Sequence, residues 1–530
     1  MSTCVDLVEG NDSMNSYGHL YIIQGNIKKI ACDAWLLPTD RNFSITESFY
    51  DAVGMKSKGP LIWNKRLWSE PWGSNHFILL SPATDAQDPD LWIGRIGGNE
   101  DTRVSRFAER AEEFVNLAAQ KVHERMTDGK RAPLIAINVL GSGQGGMRNK
   151  RGELLRELIP ALVKSARANK CDVVLVTHGS LMYSAANSVR RSLVDTDVDP
   201  WREMPEELID ESDRLVALAR RSELVVFLGA GVSRDAGLPA WKELLQDVAR
   251  DLGIEEKEFD EMASLDPRDQ ATLLGSGREV EFKKAVSERL SSERFSLLHG
   301  LLASLPVNEF VTTNFDNLFE LAATRSDGPP PVIPGGVVSA GKRWLLKLHG
   351  TIGKDLVLTR SEYLGAISSH AALRGLVQAM LLTRHMLFIG YSLSDEDFHQ
   401  LVHEVRESVS GHESTSFGTV MLLQDRQYLS KLWPDLSFVS TNVGGSNEDN
   451  VHQSARNLSI MLDYIGAHSA SDITFVVDES YGKMKSEHEL RLAEILQELD
   501  NLVTEMDHEN GNSLNWKPVR DFLRAFKDHE

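Results

Sequence analysis

Cysteine is almost missing from this 530-residue chain: only Cys4, Cys32 and Cys171 occur. Three are too few for a disulfide framework, and no two stand at C-x-x-C spacing, so a cysteine-rich zinc site is ruled out. No metal cofactor is expected. Long apolar runs are missing as well, since nothing approaches the roughly 20 residues that span a bilayer. Residues 1–9 lack the basic start and apolar core of a secretory leader. A cytoplasmic protein with no membrane partner is the expectation. Basic charge is in short supply, with 57 Lys and Arg against 77 Asp and Glu for a net charge of −20. Such a surface repels phosphate backbones, so no direct nucleic-acid partner is expected. Arg148, Lys150 and Arg151 form one small basic exception.

What the chain does have is length for two or three domains, and an ordinary 42% of hydrophobic residues. Short aliphatic runs at 21–24, 34–37, 134–140 and 173–177 read as buried strands. Helix-period stretches at 103–125 and 153–168 alternate with them. That alternation predicts an α/β layer fold over 1–195. Residues 195–213, acidic and with two prolines, read as a linker. A second α/β series covers 205–465, with strands at 223–228, 309–312, 344–348, 386–389 and 419–423. Between two of these, residues 328–336 hold four prolines and read as a loop. In the helical extension 470–530, Leu492, Ile495, Leu499, Leu502 and Met506 recur at helical spacing, which predicts an amphipathic helix and a candidate oligomer contact.

The sharpest local signal lies at residues 225–239, where an apolar strand runs into Gly229, Ala230 and Gly231, with Ser233 close behind. Glycines there let backbone amides approach a pyrophosphate at the start of a helix. A G-x-G turn alone is equally compatible with a strand–helix junction that binds nothing. The surrounding string, Gly-Ala-Gly-Val-Ser-x-x-Ala-Gly-Leu-Pro, resembles the first motif of the sirtuin family. Thr-Thr-Asn-Phe-Asp at 312–316, Lys-Leu-His-Gly at 347–350 and Gly-Tyr-Ser-Leu at 390–393 continue the resemblance in order. The match is closest to the sirtuin-like NAD-hydrolysing proteins of bacterial antiphage defence.

This resemblance implies a Rossmann-like parallel sheet and assigns roles to individual residues. Asn314 would contact the nicotinamide-side ribose and position the attacking group, and His349 would be the general base. Asp316 would support the nicotinamide pocket. Gly229, Ala230, Gly231 and Ser233 would form the phosphate loop, with Gly390 and Ser392 lying against the dinucleotide. The blander reading is that His349 ends a strand and Asn314 caps a helix. Two departures from the family matter. Deacylating sirtuins have Asp-Phe-Arg where this chain has Ala240, Trp241 and Lys242. Their four-cysteine zinc module is also missing, because residues 351–389 contain no cysteine. Both departures point to water rather than acyl-lysine as acceptor.

In the first domain, Gln-Gly-Asn-Ile at 24–27 and the run 33–40 resemble the opening of macro domains. The loop Gly141, Ser142, Gly143, Gln144, Gly145, Gly146 resembles their diphosphate loop. Asn26 stands where the family has an adenine-contacting aspartate, and residues 38–42 replace an asparagine-rich segment. Sensing of an ADP-ribose-like nucleotide or an activating protein is therefore expected, or scaffolding, rather than a second hydrolase. The expected whole is a regulated NAD glycohydrolase with NAD as substrate, assembled as a homo-oligomer. The alternatives are an NAD-dependent deacylase or ADP-ribosyltransferase, and a non-catalytic nucleotide sensor.

Overall fold

Successive side chains of each buried strand enter different cores, and that alternation builds the architecture. The computed structural model describes residues 18–40, 42–53, 76–84, 88–97, 103–126, 131–143, 145–409, 416–442, 450–510, 519–520 and 522–523. Cys4 lies outside them. The first sheet comprises β1 (Leu20–Gln24), β2 (Ala34–Thr39), β3 (Phe77–Ser81), β4 (Asp90–Arg95), β5 (Leu134–Asn138) and β6 (Asp172–Thr177). Their order is β1-β6-β5-β2-β4-β3, with only the β3–β4 pair antiparallel. Leu20 and Ile22 pack with the helices Ser105–Arg125 and Arg151–Ala168, whereas Tyr21 and Ile23 enter a second core on the opposite face. Strands buried on both faces give unbroken apolar runs, which is how they are legible in the sequence.

The second sheet has seven parallel strands: β7 (Leu224–Leu228), β8 (Glu309–Thr312), β9 (Val332–Ile333), β10 (Trp344–Lys347), β11 (His385–Ile389), β12 (Gly418–Leu422) and β13 (Leu436–Ser440). They run β13-β12-β11-β7-β8-β10-β9. Val225 and Phe227 pack with the helices Ala371–Thr383 and Glu396–Ser408. Val226 and Leu228 share one core with Tyr21 and Ile23 of the first sheet. Leu215, Leu302 and Met461 fill that shared core from the helices Glu206–Arg220, Leu297–Ser304 and Asn450–Ser469. The protein is thus α/β, with a Rossmann-like parallel sheet joined to a second sheet through a common middle layer of helices.

Two expectations need correction. Residues 195–213 are not a free linker, because Trp201, Met204 and Leu208 are buried and the helix Glu206–Arg220 begins within them. The acids that made the stretch look solvated, such as Glu206 and Glu207, occupy its exposed side. Residues 328–336 contain the two-residue strand β9, tolerable between prolines because it lies at the sheet edge and pairs only with β10. The helix predicted in the C-terminal extension is present at Glu487–Asn510, and most of its apolar stripe faces outward. Leu492, Ile495 and Leu502 are exposed while Val503 is buried. The segment leading into that helix returns to the first half, where Tyr481 is fully buried and its backbone fills the space beside Gly152. Among the described residues no helix is long and apolar enough to cross a membrane.

A buried ionic cluster ties the layers together. Asp463, on the helix Asn450–Ser469, accepts hydrogen bonds from Arg190, from Trp201 Nε1 at 3.2 Å and from the Ile22 amide at 3.3 Å. His19 Nε2 lies 2.9 Å from the same carboxylate. Arg190 stacks over the Trp201 ring at 4.5 Å.

Candidate active site

The chain leaves β7 for β8 and β10 on one side and returns to β11 on the other. A parallel sheet opens a crevice at such a switch point, outside the carboxyl ends of its strands. At the end of β7, Gly229 begins the short 3₁₀ segment Ala230–Ala236. Gly229 and Gly231 pack directly on the turn after β11, with Gly231 N donating to Gly390 O at 3.0 Å. A Cβ on Gly229 would lie 2.3 Å from Gly390 O, and Gly390 itself has φ +64°. Two loops at the switch point are therefore held backbone to backbone, with no room for a side chain between them. Gly229→Ala should cost about 1–3 kcal/mol through overpacking. An unchanged denaturant midpoint would show that this contact is looser than described.

Beneath the loop sits a polar cluster. Ser233, buried, donates to Asp316 Oδ2 at 2.9 Å, and Asp316 Oδ1 accepts from the Leu318 amide at 3.0 Å. Asn314 Nδ2 donates to Gly229 O at 3.0 Å and lies 3.5 Å from Ser233 Oγ. The Thr312 hydroxyl donates to Leu228 O at 2.9 Å and accepts from the Asn314 amide at 2.9 Å, locking the end of β8 against β7. His299 closes the cluster, with Nε2 3.5 Å from Ser233 Oγ and Nδ1 2.8 Å from Ser296 Oγ. Burial pushes its pKa down to about 4 against the opposing pull of Asp316, so the ring is neutral near pH 7.

Lys347 pairs with Thr312 across β10 and β8, which sets Asn314 and His349 two residues further on at neighbouring carboxyl ends. The Lys347 side chain is buried, donates to Asp316 O and forms a 2.8 Å ion pair with Glu320. It fixes the turn that presents Asn314 and Asp316. His349 is buried between Tyr363, whose hydroxyl is 3.3 Å from Nδ1, and Asp395, whose Oδ2 is 3.4 Å from Nε2. Burial lowers the His349 pKa, while Asp395 and Asp397 pull it upward. Ligand atoms of His349, Asp395 and Asp397 lie within 4.8 Å of one another. Asp395 also caps the helix Glu396–Ser408, accepting from the Asp397 amide.

The structure thus brings Gly229, Gly231, Ser233, Asn314, Asp316 and Gly390 together and sets His349 on the adjoining strand. Ala230 and Ser392 are exposed at the rim, where Ser392 Oγ is 2.5 Å from Ser394 Oγ. Sequence reasoning missed His299, Tyr363 and Asp395. His299 follows no motif and reaches the cluster only because the helix Leu297–Ser304 docks there. Asp395, two residues past the Gly-Tyr-Ser-Leu string, was within reach of a closer reading. Asn314 caps no helix here, because its side chain is bonded to the glycine loop.

Residues 308–435 match the SIR2-like domain family. They form a SIR2-like domain. Asn314, Asp316, His349, Gly390 and Ser392 fall inside the match, and the loop at 229–233 precedes it, joined to the domain by the pairing of β7 with β8 and β11. Over 209 residues the chain is 28% identical to the NAD(+) hydrolase ThsA of Enterococcus faecium, covering 37% of this chain and 43% of that protein. It is 29% identical over 189 residues to the NAD(+) hydrolase ThsA of Cytobacillus dafuensis, covering 34% and 37%. Defense-associated sirtuin 2 of Bacillus subtilis is 26% identical over 198 residues, covering 36% and 20%. The chain spans less than half the length of these curated relatives.

In the first half, the glycine loop follows β5. Gly141 has φ +84° and its Cβ would strike the Phe107 ring, and a Cβ on Gly145 would lie 2.6 Å from the Gly141 Cα. These two glycines are demanded by the fold itself. Gly143 and Gly146 have open space where a Cβ would go, although Gly146 also has φ +91°. Ser142 Oγ donates to Val139 O at 2.8 Å, so its hydroxyl proton serves the turn.

Proposed function

We propose that the chain is an NAD glycohydrolase that cleaves NAD to nicotinamide and ADP-ribose. The observation that carries this reading is the convergence of Ser233, Asn314, Asp316 and His349 at the carboxyl ends of β7, β8 and β10, beside a glycine loop packed backbone to backbone on Gly390. The diphosphate lies against the exposed turn at Ala230 and Gly231, where the small residues permit close approach, the Gly229 and Gly231 amides being held by Ile389 O and Gly390 O. Asn314 orients the ribose and the attacking water, and Asp316, held by Ser233 and the Leu318 amide, supports the nicotinamide side. The bond from the ring nitrogen to C1′ breaks with its electron pair leaving on nicotinamide, which departs neutral. A water oxygen bonds to C1′ and gives its proton to His349 Nε2. Asp395, beside that nitrogen, stabilises the imidazolium so formed.

The relatives named as NAD(+) hydrolases and as a defence-associated sirtuin support a role in antiphage defence. An enzyme that depletes NAD needs control, and we assign it to residues 1–195 as a macro-like sensing domain. Residues 205–465 then form the catalytic domain and 470–530 an extension, within a homo-oligomer. Against deacylation, residues 351–389 carry helices with buried Val377, Met380 and Leu381 in place of a cysteine module. Incubating the full chain with NAD, with and without an acetyl-lysine peptide, tests the reading by chromatography. Equimolar nicotinamide and ADP-ribose, unchanged by peptide, is the expected result. Peptide-dependent nicotinamide release would establish the deacylase instead.

A further inference from the structure

His349 borders a small polar hollow of about 20 Å³. Its polar walls are His349, His370, Arg374, Tyr391, Asp395 and Asp397. A volume of that size holds one water or one bare ion and nothing larger. Separate elements supply the walls. His349 follows β10, Tyr391 and Asp395 follow β11, and Asp397 lies in the first turn of the helix Glu396–Ser408. His370 and Arg374 come from the N-terminal end of the helix Ala371–Thr383.

The donor atoms have the spacing of a metal site. One ligand atom from each of His349, Asp395 and Asp397 lies within 4.8 Å of the other two. His349 Nε2 is 3.4 Å from Asp395 Oδ2. Two corners of a tetrahedral zinc site, each about 2.0–2.2 Å from the metal, stand about 3.3–3.6 Å apart. That pair therefore already has the required separation, and a side-chain rotation of Asp397 supplies the third corner. One imidazole nitrogen with two carboxylate oxygens suits zinc better than calcium or magnesium, which take oxygen ligands alone.

The local charge favours a cation. Arg374 is the only basic Lys or Arg side chain in the described wall, and two carboxylates share it, Glu404 Oε1 at 3.5 Å and Asp397 Oδ1 at 4.0 Å. Arg268, stacked over Tyr363 behind the hollow, is likewise shared by Asp266 and Glu396. Among the described residues Asp395 pairs with no Lys or Arg and faces only His349. Carboxylate charge is thus in excess. Two buried polar atoms of the same wall, Tyr391 Oη and His370 Nδ1, have no hydrogen-bond partner. A metal-bound water can accept from the first and donate to the second. A water without the metal would meet those hydrogen bonds and leave the carboxylate charge uncompensated, whereas a divalent cation answers both.

We propose that His349, Asp395 and Asp397 form an inhibitory site for a zinc ion. Coordination occupies the Nε2 lone pair that would otherwise take the proton of the attacking water, so the bound metal and the working base exclude each other. The ion acts as a reversible brake and not as a cofactor. Asp395 and Asp397 are half-buried, which lets the ion exchange with solvent while the fold stays closed. The binding rests on the donor geometry, and the inhibition rests on the NAD-cleaving reading.

Calorimetry with zinc chloride on the metal-free full chain tests the binding. One equivalent should bind. His349→Ala and Asp397→Asn should each weaken it by at least about tenfold, since even residues behind the ligands are worth about 10- to 100-fold in affinity. Asp397→Asn preserves the shape of the side chain and lies outside the proposed reaction, so its metal-free nicotinamide release should match wild type. Zinc should silence release in wild type, EDTA should restore it, and Asp397→Asn should keep turning over at the same zinc concentration. Cobalt(II), used as a spectroscopic probe, should give the intense visible band of a four-coordinate site in wild type but not in Asp397→Asn. Absence of zinc binding at millimolar concentration overturns the proposal. So does binding of equal strength in all three proteins, which would place the metal elsewhere. Asp397-dependent binding with undiminished nicotinamide release overturns the inhibition. Asp397-dependent binding to a chain that releases no nicotinamide even in EDTA would sink the proposed reaction and leave the metal site standing.

Discussion

His349→Ala should lower nicotinamide release by about 10²- to 10⁴-fold, the usual worth of a positioned general base. Asn314→Ala should fall as far, because water and ribose lose their common anchor. The geometry explains why neither change should unfold the chain. Asn314 Nδ2 reaches only Gly229 O and Ser233 Oγ, and His349 fills a pocket edged by Tyr363 and Asp395. The pH profile gives an independent check. Burial lowers the His349 pKa below the ordinary 6.5, more strongly than Asp395 and Asp397 raise it. A base with a depressed pKa stays unprotonated to lower pH, so the acid limb of turnover should fall below pH 6.5. In Asp395→Asn, which removes the largest upward pull, that limb should move further toward acid. Near-wild-type turnover in folded His349→Ala protein would rule out the assigned base.

Asp463→Ala should destabilise the chain by about 3–5 kcal/mol, since it strands a buried cation. Arg190 is fully buried and has Asp463 as its carboxylate partner, and His19, Trp201 and the Ile22 amide lose the same acceptor. The pH dependence has a definite sign. Burial would raise the Asp463 pKa, but the Arg190 charge and the hydrogen bonds from His19 and Arg190 more than reverse this and hold it well below 3.8. Burial also depresses His19, despite Asp463 beside it. The unfolded chain therefore takes up a proton on His19 as pH drops below 6.5, and another on Asp463 below 3.8, before the folded chain does. Stability should decline with acidity across both windows. Urea unfolding at pH 7.5, 5 and 3 would reveal it, and equal midpoints for wild type and Asp463→Ala would refute the account.

The sequence by itself determined the α/β class, nine of the thirteen strands among the described residues and the positions of the site motifs. Those features are local: an aliphatic run between breaks buries itself on both faces, and a glycine after a strand permits a turn that other residues resist. Of the strands it did not reveal, β3 does carry the signal, Phe-Ile-Leu-Leu at 77–80, and β4 a shorter one at 91–93, whereas β9 and β13 carry none. β9 is only two residues long, and in β13, at the opposite sheet edge, Ser437 and Ser440 break the apolar run. Packing between distant segments was left to the tertiary structure. It drew residues 195–213 into the core, because one tryptophan and a few aliphatics outweigh an acidic exposed side. It turned the Leu492 stripe toward solvent and the Val503 side inward. It delivered His299 to Ser233 across 66 residues and Asp463 to His19 across 444. No periodicity records such contacts, since each depends on which helix docks on which sheet face. That choice is made by the shape and burial of the whole middle layer.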